Sequence, residues 1–539
     1  ALLLSFSPQQ RAPFLMNICA GLNAQLPMPI GLACLQAVAS AVDCIEGYEK
    51  ESFLPPAVEG VCRMLAISPK DTLHFTMATL SILLCDLKED FVCRVEPTVT
   101  PLLIQSWSNH ANDVSLVLSI VDVFKQLAKS SLALPGIVQR ALPTFVTLLH
   151  NFLRQQSCVV EAALDMLHVI IGSYEPPLTL PKVYIEQVYP LTIEIGLKSE
   201  DNAIVLSCSN CLESFVHVSA SQIAASGNGS GLNLLLSVIS RLLSQETSEG
   251  AALSVGNLVS QVMLKMQGML TNDMIKSMFK LLVAKLCLTG NRTFRQNLIM
   301  CFVRVFHVHG PLVLNLLANV NVQIVHNGQA QQTNALTALL TIWIANQESF
   351  QGKCGTKISL LAMAKIAVGG DVRVLNLIVP GDLNVNLNEG RRTRSSRHRT
   401  GQGGDEFTYK QVPWPLRAFQ ILARSIDNNT EEEEDMWEEG SDGEDEFEDE
   451  EEYGEMLLSD MIGDNGKSVF CDDSDDDDET NEMCYKDDAL YNSDLQAELT
   501  LFFQAFARND SVTFSQCAST LNIDEQRVLK DLVDSRTNE

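Results

Sequence analysis

A helical repeat organises most of the chain. Its period is roughly 40–47 residues, the length of HEAT or armadillo helix pairs. Because one helix pair of this size cannot bury its apolar face alone, the repeat restricts the chain to a stack of helices. Residues able to cap a first class of helix recur at this spacing, at Asp71, Asp113, Ser157, Asp201, Ser248, Asn291 and Thr333. Prolines suited to the first turn of a second class fall between them, at Pro55, Pro97, Pro135, Pro181 and Pro311.

Apolar residues inside the repeats keep helical spacing. Steps of three and four residues place them on one stripe, as in Leu73, Met77, Leu80 and Leu84, or in Val138, Leu142, Phe145, Leu149 and Phe152. No alternating run bounded by hairpin turns stands out, so no substantial sheet is expected. The sequence predicts an all-α, right-handed superhelical solenoid of HEAT-type helix pairs with a disordered acidic insertion near the C-terminus.

Composition shifts divide the chain. We expect a HEAT array of about eight helix pairs over 1–368, a Gly-rich basic loop over 369–413, a helix over 414–427, a disordered acidic insertion over 428–489, and C-terminal helices closing the solenoid over 490–539. The chain starts inside an apolar pattern without an initiator Met, and we interpret it as the C-terminal part of a longer protein.

The net charge of −29 is local. Residues 427–488 hold about 30 carboxylates and 2 lysines, so they carry roughly −28, and the rest is close to neutral. Such a segment repels anionic membranes and nucleic acids and fits a basic protein partner. The 15 scattered cysteines fit a reducing compartment. No stretch reaches 18 apolar residues without interruption, so no transmembrane helix is expected.

The acidic segment, residues 428–489, contains aromatic residues that a solubilising linker would avoid. A ring can anchor in an apolar notch while carboxylates meet Lys and Arg around it. A tether of about 60 residues spans roughly 45 Å on the flexible-chain estimate, enough to reach a partner held by the repeats. The predicted binding residues are Glu434, Asp435, Trp437, Glu438, Glu439, Asp445, Phe447, Asp449, Glu450, Tyr453, Asp475 and Asp476.

A basic run precedes the acidic segment. It contains Arg391, Arg392, Arg394, Arg397 and Arg399, followed by glycines. Four interpretations remain open: a solvated loop, a localisation signal, a phosphate-contacting patch, or a segment that folds back on the acidic block.

The sequence motifs that could indicate a metal site, a nucleotide site or a catalytic site are weak. Cys208 and Cys211 have zinc-like spacing, but they share an apolar helical stripe and no second pair follows. His307 and His309 are two residues apart, cannot share a helix face, and are expected to be ordinary helix residues. The stretch Gly463–Ser468 is too short for a phosphate loop. We therefore expect no enzyme activity, no metal and no cofactor.

Short islands near the C-terminus resemble the importin-β family of nuclear transport receptors. They are Asp435–Glu438, Leu457–Met461, Asp494–Thr500, Phe503–Phe506 and Glu525–Leu529, with Arg392–Ser395 before Trp414 and Pro415 in the same order. The resemblance covers about the last 150 residues.

This resemblance implies a monomeric import receptor that shuttles between cytoplasm and nucleus. It implies core histone dimers, and ribosomal proteins as a further class, as cargo that is shielded from nucleic acid. It also implies contacts with nucleoporins, with Ran-GTP bound by N-terminal repeats outside this chain, and a cargo-facing concave surface built from the second helix class. Direct contacts with nucleic acid or membrane are not expected. Two alternatives stay open: a HEAT scaffold of a phosphatase or chromosome-organising complex, and a dedicated histone chaperone.

Overall fold

The structure is a computed structural model that describes residues 8–23, 25–42, 44–174, 178–326, 329–383, 409–438 and 490–534. It consists of two compact units, Ala1–Thr271 and Asn272–Glu539. The all-α fold class is confirmed. Described helices stack in both units, and the β-structure among the described residues is limited to two ribbons of two strands each.

Unit one is a double layer of helices. Odd-numbered helices contact one another along one layer and even-numbered helices along the other, while consecutive helices pack across the two layers. Tyr184–Val188 forms a π-helical turn that leads into α9. The helices are α1 (Pro8–Gly21), α2 (Met28–Val42), α3 (Gly47–Leu65), α4 (Lys70–Cys85), α5 (Glu89–His110), α6 (Val114–Ala128), α7 (Leu134–His150), α8 (Ser157–Gly172), α9 (Tyr189–Lys198), α10 (Asn202–Gly229), α11 (Gly231–Leu242) and α12 (Val255–Lys265).

Unit two continues the helix pairs and adds the strands. Its elements are α13 (Asn272–Leu288), α14 (Arg292–Ala318), β1 (Asn321–His326), β2 (Gln329–Asn334), α15 (Ala335–Asn346), α16 (Lys353–Val368), α17 (Val372–Leu375), β3 (Ile378–Leu383), β4 (Tyr409–Pro413), α18 (Trp414–Glu438), α19 (Leu495–Asn509), α20 (Ser511–Ala518) and α21 (Ile523–Asp534). Strands β1 and β2 pair antiparallel from Asn321↔Asn334 to His326↔Gln329, and β3 and β4 pair antiparallel from Ile378↔Pro413 to Leu383↔Tyr409.

Three of the predicted cap residues do cap the N-termini of helices. Asp113, Asp201 and Asn291 have extended backbone conformations, and their side chains accept hydrogen bonds from backbone N–H groups of the first helical turn. The other four residues do not cap. Asp71 and Ser157 lie inside first turns, α12 begins seven residues after Ser248, and Thr333 lies in β2. Backbone conformation, which spacing alone does not reveal, decides which polar residue becomes the cap.

Pro135 lies in the first turn of α7, as the sequence predicts, but two other helices of the second class begin earlier than their prolines predict. Pro55 and Pro97 lie inside α3 and α5, which start at Gly47 and Glu89. Pro311 lies inside α14, whose backbone is kinked at His309 (φ −128°, ψ 24°). A proline removes one helical hydrogen bond and crowds the preceding turn, so it bends a well-packed helix without ending it. The expectation that His309 is an ordinary helix residue is therefore wrong, because it forms the kink.

Two boundaries also differ from those expected. The backbone of α18 continues to Glu438, beyond the boundary at 427. The segment expected as a loop over 369–413 contains α17, β3 and β4. Strands β3 and β4, which pair with each other, come directly before and after residues 384–408 in the sequence. Residues 384–408 lie outside the described residues.

Two of the described helices, α10 and α14, are long and apolar enough to cross a membrane by length and composition. In both, much of the apolar surface is used in packing, since their most apolar windows are 67% and 50% buried. Helix α10 lies between α8 and α12 in the even-numbered layer, and α14 packs against α13, α15 and α16. The apolar composition of these helices is thus explained by the stacks.

Candidate protein-interaction surface

The two layers of unit one differ in how closely their helices pack. Neighbours in the even-numbered layer contact each other more extensively than neighbours in the odd-numbered layer do. The even-numbered helices belong to the first helix class. The concave, cargo-facing surface expected from the second helix class stays a prediction.

Side chains at the starts of the even-numbered helices link one repeat to the next. Each contact joins residues about one repeat apart, and several use the cap positions themselves. The contacts are Lys70 Nζ to Asp113 Oδ2 (3.0 Å), Cys158 Sγ to Asn112 Oδ1 (3.3 Å), Ser157 to Asp201, and Ser248 Oγ to Asn202 Oδ1 (2.9 Å).

The even-numbered layer exposes apolar side chains on α4 and α6. Phe75, Val114 and Leu118 are 54%, 66% and 59% exposed, respectively. A hydrogen bond of 2.8 Å between His74 Nδ1 and Ser119 Oγ holds the two helices side by side. Neighbouring exposed apolar residues of this kind are characteristic of protein-binding surfaces.

Two carboxylates follow on the next helix of this layer. Glu161 and Asp165 lie one turn apart on the otherwise apolar α8. Burial raises the pKa of Asp165 to about 6, a hydrogen bond from Ser207 lowers it, and nearby Glu161 raises it further. Burial and the charge of Asp201 raise the pKa of Glu161. Within the described residues, no Lys or Arg forms an ion pair with either carboxylate.

This face therefore combines exposed apolar groups with acidic groups that lack a cation. A lysine or arginine from a partner would offset the repulsion between Glu161 and Asp165, so the face suits a segment with both apolar and basic residues. Among the described residues, no group of three or more His, Cys, Asp or Glu side chains could hold a metal ion.

The cysteine pair that has zinc-like spacing is part of the core. Cys208 and Cys211 are 1% and 0% exposed, and the Sγ of Cys208 donates to the carbonyl of Thr192 at 3.1 Å. Burial raises the pKa of Cys208 to about 12 and that of Cys211 well above its usual value. Both thiols act as small apolar groups, as the sequence predicts.

In unit two, five charged residues from four parts of the chain form one ion network. Arg417 and Arg424 on α18 both contact Asp382 on β3 and Glu348 after α15, and Arg424 also contacts Glu525 on α21. The Arg424–Glu525 distance is 2.8 Å, and Glu525 is only 6% exposed. Hydrogen bonding to Arg424 holds the pKa of Asp382 below its usual value.

The ion network lies close to where the chain continues into two charged segments, the basic run and the acidic segment. Residues 384–408 start from Leu383, the partner of Tyr409 in the strand pair, next to Asp382. The acidic segment runs on from α18, and the chain returns at Leu490. There Lys357 on α16 donates to the carbonyl of Tyr491 and, at 3.0 Å, to that of Ser493. An aromatic cluster then binds the returning helices to α18, with Phe419 in contact with Phe503, Phe506 and Phe514.

Most predicted binding residues lie outside the described residues. Glu434, Asp435, Trp437 and Glu438 belong to the backbone of α18. The remaining eight, from Glu439 to Asp476, and the five arginines of the basic run lie outside the described residues, as does Gly463–Ser468. Their binding role stays a prediction.

Sequence reasoning missed two features. The first, Glu161 and Asp165, could have been found, because two acids one turn apart interrupt an apolar helical pattern. The ion network could not, since Arg424 and Glu525 are about 100 residues apart and nothing in either local sequence indicates the other.

Stacked helix pairs with an apolar and acidic face define a helical-repeat binding protein. The family model described as importin-11-like, TPR repeats, matches residues 118–380. The chain is 26% identical to importin-9 of Drosophila melanogaster over 397 residues, which are 72% of this chain and 37% of that protein. It is 27% identical to importin subunit beta-5 of Saccharomyces cerevisiae over 151 residues, covering 28% of this chain and 14% of that protein.

Among solved structures, the exportin Cse1 in its cargo-free, cytoplasmic state superposes with a TM-score of 0.55. The match covers 98% of this chain and 47% of that one at 11% identity, and it therefore supports the fold. The chain is therefore similar in sequence and in fold to karyopherins of the importin-β family. It matches less than half the length of importin-9.

Proposed function

We propose that the protein is a nuclear import receptor that binds basic proteins and shields them from nucleic acid. The observation that carries this proposal is the charge of roughly −28 concentrated in one segment between helices of a karyopherin stack. The cargo class is core histone dimers, with ribosomal proteins as a further class. The proposal includes shuttling between cytoplasm and nucleus and contacts with nucleoporins, and it involves no catalytic step and no cofactor.

Two surfaces divide the work in this proposal. The acidic segment, with Trp437 and Phe447 as anchors, covers the basic surface of the cargo. The even-numbered layer of unit one binds an apolar and basic part of the cargo through Phe75, Leu118 and Asp165. Release by Ran-GTP would act through repeats N-terminal to those of this chain.

The test is a titration of labelled core histone dimer with the protein at two salt concentrations, together with DNA displacement. The first variant lacks residues 439–489, which leaves α18 intact. A second variant keeps the length of this segment and replaces its acids by Asn and Gln, so that it removes the charge without removing the chain. We expect tight, salt-sensitive binding by the protein and loss of DNA displacement by both variants.

The outcomes separate the competing functions. Equal displacement by all three proteins would move the shielding role from the acidic segment to the helical layer. No histone binding at either salt concentration would contradict the import proposal and favour a scaffold role. Histone binding that Ran-GTP never affects, measured with the N-terminal repeats present, would favour a dedicated chaperone.

A further inference from the structure

Outside the acidic segment, charge is strongly segregated along the chain. Residues 272–368 hold nine Lys and Arg but only two acids, Asp273 and Glu348. Residues 1–271 hold 14 Lys and Arg against 22 Asp and Glu. The net charge of the chain outside the acidic segment is therefore close to zero only in total. Helices α13–α16, in the unit that contains the acidic segment, carry a net positive charge.

Four of these basic residues lie together at the starts of α14 and α16. Two hydrogen bonds join the helix ends, from Gln296 Nε2 to the carbonyl of Gln351 (2.7 Å) and from the N–H of Gln351 to Gln296 Oε1 (2.9 Å). We define the basic edge as Arg292 and Arg295 on α14 with Lys353 and Lys357 on α16.

The basic edge lacks compensating charge. Neither α14 nor α16 has an acidic residue in its first turn. Arg292 and Lys353 are exposed, and neither forms an ion pair within the described residues. A helix N-terminus carries partial positive charge, which disfavours a cation there and favours an anion. The two helix starts and their side chains thus attract the same kind of ligand, an anionic one.

The chain itself brings anionic residues to this edge. The described chain resumes at Leu490, directly after the acidic segment in the sequence, and Lys357 Nζ donates to the carbonyl of Ser493 at 3.0 Å. Residues 472–488 contain ten acids and one lysine, and Asp488 is only two residues before Leu490. Because an extended chain spans at most about 3.5 Å per residue, the run 475–479 can lie no more than about 50 Å from Leu490.

We propose that residues 472–488 dock on the basic edge of the same chain. Charge complementarity and the return of the chain at Lys357 favour this occupant over an external anion, since the tether gives it an effective concentration of order mM. Docking makes part of the acidic segment unavailable for binding, so a basic partner must displace residues 472–488 from the basic edge. This regulatory consequence rests on the proposed import function, whereas the docking itself does not.

Zero-length carbodiimide crosslinking tests the contact without any cargo. It joins lysine amines to carboxylates, so we expect crosslinks from Lys353 and Lys357 to residues 472–488, decreasing at high salt as the contact is screened. A mixture of isotope-labelled and unlabelled protein identifies crosslinks between molecules. Absence of these crosslinks, or their occurrence only between two molecules, would overturn the proposal.

An oligolysine peptide measures how available the segment is. The variant R292Q/K353Q releases the segment and should bind oligolysine about three- to tenfold more tightly than the unchanged protein. The matched control K276Q/K280Q removes the same charge from α13, where both lysines are exposed, and should change binding less. Equal effects of the two variants would contradict the docking, because only total charge would then matter.

Two further experimental outcomes distinguish docking within the chain from the import function and from binding of an external anion. Crosslinks to Lys353 without any histone binding would leave the docking intact and remove only the import function. A single-stranded oligonucleotide that binds the unchanged protein but not R292Q/K353Q, with no intrachain crosslinks, would assign the edge to an external anion and overturn the proposal.

Discussion

Asp113 caps α6 and at the same time links it to the preceding repeat, with its Oδ2 lying 3.0 Å from Lys70 Nζ at the start of α4. The same side chain accepts a hydrogen bond from the N–H of Leu116 at 3.3 Å. The hydrogen bond to Lys70 is the main reason that the pKa of Asp113 is lowered. One residue therefore serves both the helix and the stack, which explains how a repeat period can be read from cap residues.

Replacing this cap should weaken unit one. We expect Asp113→Ala to cost about 1 kcal/mol in the free energy of unfolding, mostly from the lost cap. The ion pair adds little, since Lys70 is exposed. Urea denaturation measures the change, and Asp71→Ala, in a first turn but not a cap, is the control. Equal losses in the two variants would show that Asp113 has no special role.

Asp165 makes stability depend on pH. Because its pKa in the folded protein is raised to about 6, its ionisation is disfavoured by folding, and stability falls as pH rises from about 4 to 6. Asp165→Asn removes this penalty and should stabilise the protein by about 1–3 kcal/mol at pH 7.5, and by much less at pH 4.5. Unfolding curves at the two pH values test this, with the exposed Glu194→Gln as control. An effect independent of pH would rule out the charge explanation.

The ion network should hold the C-terminal helices in place. Glu525→Gln removes the pairing with Arg424 and retains a side-chain oxygen that can accept from the N–H of Asn522, as Glu525 Oε2 does at 2.9 Å. We expect faster hydrogen exchange in α20 and α21 and no change in unit one. The control is Arg527→Gln, which alters an exposed residue of the same helix. Unchanged exchange in α21 would mean that packing alone retains these helices.

Thiol reactivity should follow burial. Cys85 is exposed, whereas Cys208 and Cys211 are buried with raised pKa values. Because the thiolate is the reactive form, iodoacetamide should label Cys85 in the native protein at neutral pH and leave the pair unlabelled until unfolding. Peptide mass spectrometry before and after urea treatment gives the readout. Rapid native labelling of Cys208 would indicate that α10 opens readily.

The repeat period and the helix class were predictable because they depend on local rules. Apolar residues three and four apart require a buried stripe, and Asp113 and Asp201 can satisfy free N–H groups wherever a helix begins nearby. The interaction surface was predictable only in part. The acidic segment is a property of composition, whereas the faces that the helices expose depend on which residues the neighbouring repeats cover.

Periodicity and charge can be read directly along the chain, and they predict a stack of helix pairs interrupted by one strongly acidic segment. Packing between repeats sets the remaining features: which layer packs more closely, that Phe75 and Leu118 stay exposed, that Arg424 contacts Glu525, and that Arg292 and Lys353 share an edge. The physical reason is distance. Contacts between residues one repeat or about 100 residues apart arise only when packing closes the intervening chain, and no local pattern encodes them.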